Sequence, residues 1–308
     1  MSKFTLAVLT VALVAATAVG QGSAPTLRIV TEDPNLPSEL FYGNIKVKPV
    51  RMRPGTNTPI TINDADFFVS QHYVDFFARF PDQGGLGYWT NEITSCVNSP
   101  TPCSIIGRKV GVSAAFFIEN EFQQSGYFVY KLFKGTLDRL PTYAEFKPDR
   151  RIIMSSASIA AGKTALAAAF VQRPAFVQKY QNATTRDTFV DAIIATVQQT
   201  SGVNIASQRN ALLSQYDSGG RAAVISAVAE DASFSSAEYN RAFVAMQYWG
   251  YLNRDFDQGG YQFWLDVVNN RVTNNYRAMV CAFITSREYQ ERFGSSIFYT
   301  NSDCANIN

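Results

Sequence analysis

From residue 64 onward, apolar residues recur every three or four positions, the period of an α-helix with one buried face. Phe67, Phe68, Tyr73, Val74, Phe76 and Phe77 form the first such stripe, with Asn63 or Asp64 placed to cap it. Pro81-Asp82-Gln83-Gly84-Gly85 ends that helix. A short second helix carries Tyr88, Trp89 and Ile93, and a third runs from Val110 to Phe122. The same three-helix pattern returns at 236–254, 260–270 and 276–293, and residues 127–137 and 165–180 read as further amphipathic helices. Residues 25–63 differ. Prolines at 25, 34, 37, 49, 54 and 59 separate short β-branched or alternating runs, which predicts an extended lead-in with two or three short strands. No strand pattern follows. The expected class is all-α, a bundle or array of duplicated helix–loop–helix repeats behind a short extended or β lead-in.

The duplication can be read directly. Residues 68–89, FVSQHYVDFFARFPDQGGLGYW, return without a gap as 243–264, FVAMQYWGYLNRDFDQGGYQFW, with nine of 22 positions identical. Such fixed-offset similarity marks repeated supersecondary units. In the third helix, Ala282, Phe283, Glu288 and Tyr289 echo Ala115, Phe116, Glu121 and Phe122, and the shorter offset there is absorbed by a cysteine-bracketed insertion in the first copy. A weaker copy occupies 188–239: Phe189-Val190 replaces Phe68-Val69, Ser201-Gly202 replaces the loop, and its Asp and Trp are missing. The chain divides into a signal-like segment 1–24 (cleavage after 20 or 24), a Pro-rich lead-in 25–63, a repeat 64–137 and connector helices 138–187. The degenerate middle repeat 188–239, the last repeat 240–294 and a tail 295–308 follow.

Each residue of the shared motif has a folding task. Asp82 and Asp257 accept hydrogen bonds from the free amides that open the next helix. Arg79 and Arg254 suit the closing helix dipole and lie within reach of those aspartates. Gly84, Gly85, Gly259 and Gly260 provide positive φ at the reversal. Trp89 and Trp264 are expected as equivalent buried anchors. A calcium loop is the competing reading, yet calcium takes 6–8 oxygen ligands. The first loop offers Asp82 alone, and the second only Asp255 and Asp257. No metal and no cofactor is expected. His72, the sole histidine, has Gln247 as repeat partner, so a solvent-facing or core hydrogen-bonding role covers both. Gly162-Lys163-Thr164 lacks the first glycine of a phosphate loop, which would fall at Ala157. No carboxylate pair stands out for glycoside hydrolysis. Tyr127, Tyr130, Tyr143, Tyr180 and Tyr299 fall off the helical stripes, and an exposed subset would suit stacking on sugar rings. Asn182-Ala183-Thr184 matches a glycosylation acceptor.

The net charge of +2 and the lack of a basic face, apart from Lys46, Lys48, Arg51 and Arg53, set nucleic acid aside. That basic alternation is expected to face water, or alternatively to dock an acidic polymer. Lys3 followed by the apolar run 4–19 reads as a secretory signal, too short to span a bilayer comfortably. Four cysteines in an exported chain suggest two disulfides with three possible pairings. Cys96 and Cys103 close the short VNSPTP turn, and Cys281–Cys304 would pin the tail to the last helix; the alternative leaves Cys281 as a buried core thiol.

At Phe-Val-x4-Tyr followed by Arg-x2-Asp-x2-Gly-x3-Trp, the chain resembles domain-of-unknown-function family 4214, found in secreted and surface-associated bacterial proteins. The fit is close at 67–89 and 242–264 and loose at 188–239. The family is similar to helical linker domains of phycobilisomes, so the resemblance implies a helical architecture and an assembly role, and it brings no catalytic residue. The expected function is a secreted, non-enzymatic repeat that binds a protein partner or self-assembles at the cell surface. A polysaccharide-binding module ranks second and an envelope hydrolase third.

Overall fold

A computed structural model describes residues 26–30, 38–53, 55–96, 103–271, 276–294, 299–305 and 307. The signal-like segment 1–24 and the whole VNSPTP turn, 97–102, lie outside them. The chain is all-α after a β lead-in. That lead-in is one antiparallel meander of four strands, β1 (Leu27–Val30), β2 (Ser38–Tyr42), β3 (Ile45–Met52) and β4 (Pro59–Ile60). It docks onto the helices instead of standing clear. Ile60 and Ile62 are buried, the Lys109 ammonium donates to the carbonyls of Ile62 and Asn63 at 3.1 and 3.0 Å, and Arg53 pairs with Asp66 at 2.5 Å. The basic alternation is therefore partly turned inward, with Arg51 stacked over Phe67 and Phe293. The side chains of Lys46 and Lys48 lie outside the described residues.

The helices form four successive units. The first has α1 (Ala65–His72), extended by a π turn Tyr73–Phe77, then α2 (Gln83–Thr94), α3 (Ile105–Ile118) and α4 (Asn120–Gln124). The second has α5 (Gly126–Leu137), α6 (Tyr143–Met154), α7 (Ile159–Phe170) and α8 (Pro174–Lys179). The third has α9 (Arg186–Ser201) and α10 (Arg209–Ala229), the latter broken at Gly219-Gly220. The fourth has α11 (Ala232–Met246) with a π turn Gln247–Leu252, α12 (Gln258–Asp266) with a π turn Val267–Arg271, α13 (Tyr276–Ile284) and α14 (Arg287–Glu291). The first helix of each unit ends on a left-handed residue: Ala78, Asp138, Gly202 and Asn253.

This periodicity revises the sequence division. The boundary at 137/138 cuts the second unit through its own helix–turn–helix, and its latter half is a repeat in place of connector helices. Phe128-Val129, Phe133, Arg139 and Pro141 stand where the first unit has Phe68-Val69, Tyr73, Arg79 and Pro81. Its cap is built differently, from Thr142 and Glu145 in a reciprocal capping box.

The core runs through all four units. Helix α5 is buried on nearly every side, including Lys131, whose ammonium donates to the Ser235 hydroxyl at 2.8 Å. It packs against α6, α9, α10 and α11. Units one and four face each other: α3 lies along α13, and the two long π turns meet where Phe76 crosses Tyr251 at 5.2 Å. Gly250 is small because Phe76 and Met246 occupy the space around it. Disulfides Cys96–Cys103 and Cys281–Cys304, with Cα separations of 5.5 and 5.9 Å, leave no free cysteine. Cys281 is thus a buried half-cystine. Among the described residues, no helix is long and apolar enough to cross a membrane.

Candidate interaction surface

The two motif copies superpose in chemistry as well as sequence. Asp82 Oδ1 accepts from the Gly85 amide at 2.8 Å, and Asp257 Oδ1 from the Gly260 amide at 2.7 Å, so each aspartate is an N-cap. Gly84, Gly85, Gly259 and Gly260 are already helical, and the left-handed residue comes a few positions earlier at Ala78 and Asn253. The glycines therefore do not serve positive φ. Gly85 and Gly260 leave room: a β-carbon there would collide with the hydroxyls of Tyr73 and Tyr248 respectively. Tyr73 and Gly85 belong to the same steric unit, repeated 175 residues on as Tyr248 and Gly260.

Arg79 reaches Asp82 only at 3.7 Å. Its stronger partner is Glu121, held by Nε and Nη2 at 2.5 and 2.7 Å, and Arg254 grips Glu288 in the same way at 2.5 and 3.0 Å. The Arg–Glu fork closes each first helix onto its unit's fourth, with a planar bidentate geometry that lysine would not reproduce. Asp255 does something else: its Oδ1 accepts from the Tyr143 amide at 2.5 Å and thereby caps α6 of the second unit. Among the described residues, no group of three His, Cys, Asp or Glu side chains is gathered for a metal.

The tryptophans correct the expectation of burial. Trp89 and Trp264 sit at equivalent places, 5.5 Å from Phe116 and 5.6 Å from Phe283, but both are half-buried. The fully buried indole is Trp249, stacked on Phe146. Beside each half-buried tryptophan stands an aromatic residue turned outward. Tyr88 is 59% and Phe263 48% exposed, and each meets its tryptophan edge-on at 4.9 and 5.2 Å. Sequence reasoning named Tyr88 only as a residue of the second helix and passed over Phe263. The signal was there, since both copies keep an aromatic one residue before the tryptophan. The irregular tyrosines go the other way: Tyr127, Tyr130 and Tyr180 are buried, and Tyr143 and Tyr299 half-buried, so they form no exposed stacking platform.

Buried polar groups hold the units together. His72 is 1% exposed, its Nδ1 donates to the Phe68 carbonyl at 2.8 Å, and its Nε2 takes the Ser113 hydroxyl at 2.6 Å. Ser113 in turn contacts the Tyr251 hydroxyl, which links unit one to unit four. Burial pushes the imidazole down to about 3, which keeps it neutral. Gln247 repeats the first of these bonds by donating to the Phe243 carbonyl at 3.1 Å. Histidine and glutamine thus share a core role. Two arginines cap carbonyls of the π turns: Arg150 donates to Val74 and Asp75, and Arg292 to Gly250 and Tyr251. Arg292 also pairs with Asp75 at 3.1 Å.

These features define an all-α protein of four helix–turn–helix units, carrying duplicated capped turns with an outward aromatic at each. Residues 222–293, from the latter half of α10 to just past α14, match the family described as Domain of unknown function (DUF4214). The first motif copy lies outside the matched residues and is related to them through the internal repeat. No curated protein and no solved structure matches the chain.

Proposed function

We propose that the chain is a non-enzymatic assembly module working outside the cytoplasm, where it holds a protein partner that presents the same epitope twice. The observation that carries this reading is the pair Tyr88 and Phe263, equivalent outward aromatics on duplicated turns. Aromatic side chains with large exposed area are the residues that dominate protein interfaces, and paired faces raise avidity without new chemistry. The two disulfides and the signal-like leader support an oxidising compartment. Each half-buried tryptophan would give its face a rigid floor.

The test is retention of the full chain at the cell surface for Tyr88→Ser, Phe263→Ser and the double variant, each checked by circular dichroism. Each single change should weaken retention several-fold, and the double change should release the protein. Undiminished retention of a folded double variant refutes the proposal. So does hydrolysis of an envelope polymer by the purified protein at an enzyme-like rate, if one carboxylate substitution abolishes it.

A further inference from the structure

A cleft of about 510 Å³ opens where α11, α12 and α13 of the fourth unit meet α4 and α5, within the size range of small-ligand sites. Its chemistry is mixed. Tyr239 and Tyr276 set their rings 5.9 Å apart at 78°, forming an aromatic corner. Asn240 stands beside them: its amide nitrogen donates to Asn269 at 2.6 Å, and its oxygen accepts from the Tyr276 hydroxyl at 2.6 Å. A primary amide has two donors and two acceptor sites, so those bonds leave Asn240 one of each. Ser235 adds a hydroxyl at the rim. The single charge on the lining is Arg241, whose guanidinium is drawn to the buried Glu238 at 3.1 Å, and the lining carries no carboxylate.

We infer that this cleft binds a neutral saccharide. Vicinal hydroxyls need adjacent donor and acceptor pairs, which an ordered asparagine supplies, while the apolar face of a pyranose needs an aromatic wall. Charge matching offers an ionic ligand little, because Arg241 is already paired and the Lys131 ammonium behind the rim is buried and spent on the Ser235 hydroxyl. A peptide added as an extra strand would call for a sheet edge, and the cleft has none. A second observation points the same way. Helix α12 ends in the π turn that contains Asn269, whereas its repeat partner α2 is α-helical throughout. That extra turn carries Asn269 to Asn240, so the polar side of the cleft is a feature that unit four has and unit one lacks. The site also occurs once: the first-unit counterparts of Tyr239 and Asn240 are Asp64 and Ala65. It is therefore independent of the duplicated aromatic faces and of the assembly reading.

Calorimetric titration of the full chain with neutral trimers of glucose, mannose, galactose and N-acetylglucosamine tests the inference, beside a uronic-acid trimer and an uncharged tripeptide. One neutral trimer should bind and shift the Asn240 side-chain amide resonances. Asn240→Ala should weaken it about tenfold. Tyr276→Phe, which keeps the ring and loses the hydroxyl, should weaken it less, and both variants should melt like the parent. The Tyr88→Ser/Phe263→Ser variant should bind the sugar unchanged, which separates this site from the assembly faces. The inference is overturned if no neutral trimer binds at millimolar concentration, if Asn240→Ala binds as well as the parent, or if only the uronic-acid trimer or the peptide binds.

Discussion

Gly84 and Gly85 are adjacent in the same turn, and the structure assigns them opposite responses to alanine. A β-carbon on Gly84 would have Asp82 Oδ1 as its nearest neighbour, at an ordinary 3.4 Å. Gly84→Ala should therefore gain part of the helix propensity difference, up to about 1 kcal/mol. A β-carbon on Gly85 would sit on the Tyr73 hydroxyl. The Tyr73 ring is buried and packed edge-on against Phe77 and Phe116, so its hydroxyl is not the loose end of a flexible chain. Overpacking of this kind costs about 1–3 kcal/mol, which outweighs the propensity gain, and Gly85→Ala should destabilise by roughly 0.5–2 kcal/mol. With Tyr73→Phe the oxygen is gone and the closest ring atom is Cζ at 3.2 Å, a gap that a few tenths of an ångström relieves. The double variant should then recover, with a coupling of about 1–3 kcal/mol between the two sites. Urea unfolding followed by far-ultraviolet circular dichroism at a common slope measures all four species. If Gly85→Ala matches Gly84→Ala in stability, or if the coupling falls below about 0.5 kcal/mol, the steric account is wrong. Were positive φ the reason for these glycines, both substitutions would damage the fold and Tyr73→Phe would rescue neither.

Two further outcomes follow from the interior. His72 has a folded pKa depressed to about 3, below its unfolded value, so the unfolded chain binds the extra proton between those limits. Stability should fall as pH drops from 6.5 toward 3, by up to about 1.4 kcal/mol per unit. His72→Gln, the residue its repeat partner carries, should flatten that slope in urea midpoints compared at pH 7 and 5, and an unchanged slope refutes the assignment. Replacing the cysteine pairs by serine should cost about 2.5 kcal/mol for Cys96–Cys103 and about 3.4 kcal/mol for Cys281–Cys304, because the longer loop gives more entropy back to the unfolded chain; the reverse order in unfolding midpoints would show that loop length does not govern the loss.

The sequence made units one and four legible because both use the same chemistry: Asp caps, paired glycines, tryptophan. Unit two escaped because it reaches the same backbone by other means. Thr142 and Glu145 cap α6 where Asp82 and a glycine stand in unit one, and Arg139 pairs with Glu145 inside the turn instead of reaching a fourth helix. Three of the four left-handed helix ends are Ala78, Asp138 and Asn253, so a reading that relies on glycine to find positive φ looks at the wrong positions. Periodicity also assigns a residue to a stripe without fixing how deep that stripe lies. The outward turn of Tyr88 and Phe263 was therefore not legible, and the cleft around Asn240 left no linear trace because its walls come from residues 123 to 276.

In an open helical solenoid each repeat touches only its neighbours, and two faces on distant repeats would swing relative to each other. This chain is closed. Arg150 of unit two holds the π turn of unit one, and Arg292 holds the π turn of unit four while pairing with Asp75 of unit one at 3.1 Å. The Asp75–Arg292 pair is almost fully enclosed, with side-chain exposures of 7% and 17%, so removing one member leaves a buried charge and costs about 3–5 kcal/mol. Arg292→Met should show that loss in urea unfolding, and adding Asp75→Asn should restore part of it by removing the stranded carboxylate. If the duplicated aromatics act as a pair, their fixed spacing is what converts a second contact into an intramolecular one. Arg292→Met, confirmed as folded, should then keep each aromatic face but be retained at the cell surface no better than a single-face variant, with the Asp75→Asn double intermediate. Retention equal to the parent would mean that the two faces work separately and that the unit-one to unit-four contact serves stability alone.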